Sequence, residues 1–316
     1  MSDALTEMMR GLRLDGVEYG RCQPSAPWAT AFPAKEEAQF HFVAAGKAHL
    51  QSPNGEWAEM LPGDAVLLPR GDAHVIASEP GLDPTPVGSL PRKPLCDGIV
   101  DLQCSCADNR NLLFFAVLRF NVDKHHPLLQ LMPKMMRTSD LAANEPSIPA
   151  LLEAMMREVD MNRVGAGGIL ARLADVLTAT LIRTWVEHGC GDASGWLAAV
   201  RNPEIGRVLA AIHLDPAYDW TVEELARKMG ASRSAFAERF SKVVGETPAR
   251  YVARMRMHQA HQWLLEGQRV GSIAERLGYE SEASFSRAFK RIMGASPVTF
   301  RGRALDPSRP VMRVAS

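Results

Sequence analysis

Two groups of residues in this chain are of types that do chemistry, and they lie far apart. Five cysteines, Cys22, Cys96, Cys104, Cys106 and Cys190, are scattered and odd in number. That pattern argues against a secreted disulfide framework and leaves reactive or metal-ligating thiols. Cys104 and Cys106 are two residues apart, with Cys96 and His125-His126 in the same region, a donor set that suits a soft metal. The second group is polar and basic and runs from Arg233 to Arg301. Arg287 suits a bidentate contact to guanine, and Glu238 can accept from a cytosine amino group. Arg233, Lys242, Lys290, Arg291 and Arg301 suit phosphate, which positions a protein on DNA without specifying sequence.

The elements that must position the second group are legible as a repeat of about 49 residues. Phe236 and Phe240 recur as Phe285 and Phe289, Ser232 as Ser281, Gly245 and Pro248 as Gly294 and Pro297. Each copy has the anatomy of a helix-turn-helix. Thr221 caps a helix over Val222–Met229, with Glu224 completing a capping box. Gly230 breaks it, and Ser232 caps a second helix that stops at Gly245. The second copy predicts a helix at Ser272–Leu277, a turn at Gly278-Tyr279-Glu280, and a helix from Ser281 to Met293. The phenylalanines, with Val243 and Ile292, must face inward. That turns Arg233, Ser234, Ala237 and Glu238 outward in one copy, and Glu282, Ala283, Ser286 and Arg287 in the other. A helix held this way can lie in a major groove, and helix starts at Thr247 and Ser296 can offer N–H groups to phosphate. Charge fits the division of labour. Residues 201–303 hold 17 Lys/Arg against 11 Asp/Glu, and residues 1–200 hold 17 against 24, so the basic module is the one that would approach DNA. The alternative is a pair of generic helical hairpins with solvated charges, which two matched copies make hard to sustain.

Residues 203–303 resemble the DNA-binding region of AraC/XylS-family regulators. The carrying residues are Ile273-Ala274, Gly278-Tyr279, Ser284 through Arg291, Gly294, Ser296-Pro297 and Phe300-Arg301. The resemblance implies two helix-turn-helix units joined by one long helix, here Pro248 to Glu266 with Tyr251, Met255 and Leu264 inward. Both recognition helices would enter successive major grooves on one face of double-stranded DNA. Ser234 and Ala237 stand where a longer base-reading side chain is often found, so the first copy is expected to read weakly. The commoner behaviour in the family is activation, which brings RNA polymerase in as a partner.

Ahead of that region, residues 15 to about 120 read as strands (Gln39–Val43, Ala48–Gln51, Ala65–Leu68, Leu112–Phe120) punctuated by Gly and Pro turns. Glu79 to Pro94 reads as a mobile loop. Gly63 to His74 resembles the second half of the cupin motif, with Gly63, Pro69, Gly71 and His74 in its spacing. Of the first half only Phe40-His41-Phe42 and Gly46 remain. His41 and His74 are thus the candidate effector-binding residues, with a backbone-bonded structural role for His74 as the alternative. Two ligands fall short of the three or four a cupin enzyme needs, so no catalysis and no cofactor is expected. Residues 10–140 are similar to the sensor of an AraC subfamily that includes reactive-chlorine regulators. The similarity is carried by Cys22 to Trp28, Phe40-His41, Gly46, Leu67–His74 and His126 to Leu129. By that resemblance Cys22 stands where such sensors have a redox cysteine. The second cysteine belongs on Leu112–Leu118, which has none; Cys96, Cys104 and Cys106 precede it. A partly exposed thiol of lowered pKa is oxidised to sulfenic acid and resolved by a neighbour, and Arg21 beside Cys22 and Arg92-Lys93 near Cys96 would favour the thiolate. Oxidant sensing, a small organic effector and a soft metal all stay open.

Helical period appears over Ile148–Asp160 and Ile169–His188, where Ile169, Leu170, Leu173, Val176, Leu177, Thr180, Leu181 and Trp185 form one broad face. That face is expected either to join a homodimer or to pack within the chain. The expected whole is an α+β two-domain protein. A cupin-like β-barrel sensor (1–140) is followed by a helical linker and dimerisation segment (141–200), an all-α tandem helix-turn-helix domain (201–303) and a flexible tail (304–316). No apolar run approaches a membrane span, Met1 to Arg10 lacks a signal-peptide apolar region, and the cytoplasm is expected. A cupin enzyme fused to a targeting module, or an architectural DNA-binding protein without a sensor, are the readings from other classes.

Overall fold

A computed structural model describes residues 14–96, 99–103, 111–120, 127–160, 163–188, 199 and 202–304. The chain divides into two compact units, one within residues 13–192 and one from Ala193 onward.

Strands of the first unit are β1 (Leu14–Cys22), β2 (Ala29–Phe32), β3 (Ala38–Ala45), β4 (Ala48–Gln51), β5 (Trp57–Met60), β6 (Ala65–Leu68) and β7 (His74–Ala77). β8 (Thr85–Pro86), β9 (Arg92–Cys96), β10 (Ile99–Leu102), β11 (Leu112–Phe120) and β12 (Met136–Arg137) follow. They form a seven-stranded sheet in the order β12-β6-β3-β11-β1-β10-β9 and a five-stranded sheet in the order β5-β4-β7-β2-β8. The expected barrel takes the form of these two sheets; among the described residues no ladder joins them into a closed one. Val43, Leu50, Met60, Val66, Leu68, Ile76 and Leu113 form a core shared by the sheets. β3, β6 and β11 are buried at nearly every position, so they read as continuous apolar runs rather than alternating ones.

The other face of this sheet meets helices. α1 (Pro127–Leu131) and α2 (Thr138–Leu141) lead to α3 (Ser147–Glu158) and α4 (Ala166–His188). α3 and α4 pack on each other, α4 meets β1 and β11, and α2 meets β6. Two expectations need correcting here. The stretch from Glu79 to Pro94 is partly ordered strand: β8 runs parallel to β2 and β9 pairs with β10. Buried Val87 holds it, clustered with Leu102 and Phe115. The buried face of α4 keeps Leu170, Leu177, Thr180, Leu181 and Trp185 of the expected set but departs from it at one edge. Leu170, Ala174, Leu177, Thr178, Leu181 and Ile182 are inside, whereas Ile169 and Val176 are 47% and 50% exposed. Small residues at 174 and 178 let the helix lie close to its neighbours, which counting apolar residues alone does not anticipate.

The second unit is helical: α5 (Pro203–Leu214), α6 (Val222–Met229), α7 (Arg233–Val244), α8 (Pro248–Leu265), α9 (Val270–Arg276), α10 (Glu282–Met293) and α11 (Pro297–Ala304). α8 is the spine. Phe236 and Phe240 are fully buried, and the Phe240 ring meets Tyr251 of α8 edge-on at 5.7 Å. In the second repeat Phe285 and Phe289 join Met257, Ala260 and Leu264 of α8 and Ile273 and Leu277. α9 starts two residues before the expected Ser272, because buried Val270 anchors its first turn.

Gly71, in the turn between β6 and β7, has φ +62°, and an added Cβ would sit 2.2 Å from the Glu37 carbonyl oxygen and 2.5 Å from that of Lys35. Its own carbonyl accepts from the Lys35 N–H at 2.8 Å. Gly71→Ala is therefore expected to destabilise the first unit by about 2–3 kcal/mol through backbone strain and collision. A denaturant midpoint equal to wild type would refute this.

Candidate nucleic-acid interface and sensor site

Each recognition helix is set by the same local devices. In the first copy the Thr221 Oγ1 accepts from the Glu224 N–H and the Glu224 carboxylate accepts from the Thr221 N–H. Such a capping arrangement is worth about 1 kcal/mol. α6 ends at Gly230, which is left-handed at φ +74°, and Ser232 then caps α7 by accepting from the Ala235 N–H at 3.3 Å. The second copy repeats this with Gly278 at φ +71° and a Ser281–Ser284 capping box on α10. A turn of three or four residues with one left-handed position redirects the chain sharply enough to lay the second helix across the first.

The outward faces differ in chemistry. Arg233, Ser234, Glu238 and Lys242 on α7 are exposed and Ala237 is half-buried. Arg233 is paired with Glu223 at 2.8 Å, so part of its charge is already matched. On α10, Glu282, Ala283, Arg287, Lys290 and Arg291 are exposed and Ser286 is half-buried. Arg287, Lys290 and Arg291 carry no ion pair among the described residues. The side chain of Arg301 lies outside the described residues. Thr247 caps α8, accepting from the Arg250 N–H. The sequence did not point to Arg239, which pairs with Glu204 and ties α7 to α5. Nor did it point to Lys228, which sits 5.1 Å over the Trp220 ring.

In the first unit the two candidate histidines meet. His74 Nε2 lies 2.8 Å from His41 Nε2, and His74 Nδ1 lies 2.9 Å from the Asp72 carbonyl oxygen. A carbonyl only accepts, so His74 carries its proton on Nδ1 and its Nε2 takes the proton of His41 Nε2. Phe32 stacks on His74 with centroids 5.0 Å apart. Burial pushes His74 down to about 4 and holds His41 well below the ordinary histidine range, with the neighbouring His74 adding to it. Each ring spends its Nε2 on the other. Among the described residues no three His, Cys, Asp or Glu side chains come together as metal donors.

His41 also lines a cavity of about 20 Å³ with Cys22, Trp28, Thr30, Phe32 and Phe115; His74 is not among its lining residues. That is room for one water-sized molecule. Cys22 ends β1, opposite Leu102 on β10 and Leu113 on β11. The cation expected beside Cys22 faces away from it. Arg21, the next residue on a pleated strand, projects to the opposite face, pairs with Asp101 at 3.2 Å and donates to the Asp160 carbonyl at 3.1 Å. Arg92 pairs with Glu18. Cys96 belongs to β9, and Cys104, Cys106 and Cys190 lie outside the described residues.

A unit with two capped helix-turn-helix copies on one spine, carried on the same chain as a two-sheet domain with a small internal cavity, defines a DNA-binding regulator. The comparisons agree. A family model described as a cupin matches residues 3–187, and one described as a helix-turn-helix domain matches residues 225–303. The transcriptional regulator AlkR of Acinetobacter baylyi is 31% identical over 95% of this chain and 99% of its own. A putative AraC-like transcription regulator of Streptomyces lividans is 30% identical over 89% and 91%. The RCS-specific transcriptional activator RclR of Escherichia coli is 26% identical over 95% and 98%. This chain belongs to the AraC-like transcription regulators that carry an N-terminal cupin domain. Among the described residues no helix is long and apolar enough to cross a membrane.

The histidine pair sets a pH dependence of stability. Unfolded imidazoles take up protons as the pH falls through about 6.5, whereas folded His74 does so only near 4. Between those values the unfolded state binds more protons, so stability is intact above about 6.5 and falls towards pH 4. The His74 share is of the order of 3 kcal/mol. His213, pushed down to about 3 in the second unit, acts with the same sign. In denaturant unfolding at pH 7 and pH 5, His41→Leu/His74→Leu should lose less stability on acidification than wild type; equal losses would count against the assignment.

Proposed function

We propose that this regulator reads DNA through α7 and α10 and that its N-terminal unit responds to small oxidants, such as hypochlorous acid, through Cys22. The supporting observation is where Cys22 stands: on the wall of a cavity of about 20 Å³. An oxidant of a few atoms fits such a space, whereas sites for organic ligands run to about 300 Å³ and more. The resemblance to reactive-chlorine regulators and the RCS-specific relative point the same way. In the reaction the Cys22 thiolate attacks the chlorine of hypochlorous acid. A sulfur–chlorine bond forms and hydroxide leaves. Water then replaces chloride to give the sulfenic acid, or a second thiol displaces it to close a disulfide. Cys96, Cys104 and Cys106 are the candidate partners. Cys104 comes two positions after Leu102 in the sequence, and Leu102 is the register neighbour of Cys22.

On DNA, Arg287 takes guanine and Glu238 a cytosine amino group, with Ser234, Ala237, Glu282, Ala283 and Ser286 at the base edges. Arg233, Lys242, Lys290, Arg291 and Arg301 take phosphates. Arg287, Lys290 and Arg291, which carry no ion pair among the described residues, make the second copy the anchor. Binding to the protein's own promoter region should weaken about 5- to 150-fold in Arg287→Ala, most of all on sequences carrying the guanine. Hypochlorous acid should change wild-type affinity, dithiothreitol should restore it, and Cys22→Ala should abolish the response. Cys104→Ala/Cys106→Ala then identifies or excludes the resolving thiol. DNA binding indifferent to the oxidant would end the thiol reading and turn attention to organic effectors and soft metals.

Two copies would meet through the exposed apolar residues of α4, Ile169 and Val176, with Leu173 between them. Ile169→Glu/Val176→Glu should yield monomers in equilibrium sedimentation; a wild-type protein that sediments as one chain at micromolar concentration would remove the dimer. Contact with RNA polymerase belongs to the same reading, as the route by which an activator would act.

A further inference from the structure

β1 is shared by two neighbours. One face carries Cys22 and Gly20 towards the cavity. At Gly20 an added Cβ would lie 2.2 Å from the ring of Phe115, itself a cavity wall, so that ring lies directly on the strand backbone. The other face carries Tyr19 and Arg21 to the helices. The Tyr19 hydroxyl donates to Asp175 of α4 at 2.9 Å, and Arg21 donates to the Asp160 carbonyl just beyond α3. Tyr19 reaches Asp175 by folding over Gly16, where a Cβ would fall 1.9 Å from the phenolic oxygen. Gly16 thus makes the notch in which the phenol rests. Arg172 holds the other Asp175 oxygen at 3.3 Å.

We propose that the Tyr19–Asp175 hydrogen bond, seated in the Gly16 notch, is a latch that holds α4 in its signal-free position and couples β1 to the helix that leads along the chain to the DNA-binding unit. This rests on the reading that the signal enters at Cys22. The cavity has no slack beyond one small molecule, so a covalent change there must shift its walls, and a close-packed interior passes the shift on rather than absorbing it. β1 and β11 both line the cavity and touch α4, and β1 is the one that carries Cys22. Tyr19 is a positioning residue: it meets no effector, and losing its hydroxyl moves the balance between two arrangements of α4 without any signal.

The test uses the full-length protein in dithiothreitol. Tyr19→Phe removes the donor, and Gly16→Ala displaces it while leaving the tyrosine intact. Each should shift the Kd for promoter DNA about 3- to 10-fold from wild type, the scale of one hydrogen bond. Where oxidant changes the wild-type Kd, the shift should run in the same direction. Asp175→Asn, which keeps an acceptor, should stay within about 2-fold. Hydrogen exchange of amides 170–182 should quicken in Tyr19→Phe. Faster exchange with an unchanged Kd would make the bond structural only and overturn the latch. So would a Kd within 1.5-fold of wild type in both variants. Failure of the oxidant reading shows separately, as a wild-type Kd indifferent to oxidant.

Discussion

Burial of two phenylalanines one turn apart is the interaction on which the DNA-binding unit depends. α7 and α10 have twelve residues each, too short to persist alone in water. Phe236 with Phe240, and Phe285 with Phe289, are each fully buried, and such a side chain contributes about 2–3 kcal/mol. Fixing two positions four residues apart also fixes the rotation of a helix about its axis. The outward set is therefore decided by the inward one: Arg287 faces solvent because Phe285 and Phe289 cannot. Mounting both helices on α8 turns two local motifs into one unit.

The first unit is governed by a shortage of space. Its central strands are covered on both faces, its buried histidines satisfy each other, and its cavity holds about 20 Å³. In such an interior a chemical change cannot be accommodated quietly. β1 and β11 stand between the cavity and α4, so whatever alters the cavity acts first on the strands that the helix leans against. Burial that keeps His41 and His74 neutral belongs to the same constraint: it outweighs the attraction of the Asp72 carboxylate for a charge on His74.

The helix-turn-helix copies were legible in the sequence almost to the residue, because their determinants are local. Thr221 with Glu224, Ser232 and Gly245 lie within a few positions of the backbone groups they satisfy, and the spacing of Phe285 and Phe289 states a helix face directly. The exception, α9 beginning at Val270, arose where no side-chain cap marks the start. Strands β4, β6 and β11 were read with their observed bounds, since Gly and Pro turns delimit them. The stretch from Glu79 to Pro94 was read as loop because β8 and β9 are held by ladders to β2 and β10, partners the local composition does not contain.

Sequence by itself determined the family, the paired helix-turn-helix copies and the residues they turn outward, and it singled out His41, His74 and Cys22 as candidates in the cupin domain. Tertiary structure alone decided what surrounds those groups. It joined His41 to His74 across 33 residues and removed Arg21 from Cys22 to the opposite face of β1. It also left Ile169 and Val176 at the exposed edge of α4, and set Tyr19 against Asp175 across 156 residues. Caps, turns and helix faces follow from interactions within about four residues, whereas a sheet brings together strands whose register depends on every other strand, and no local pattern carries that information.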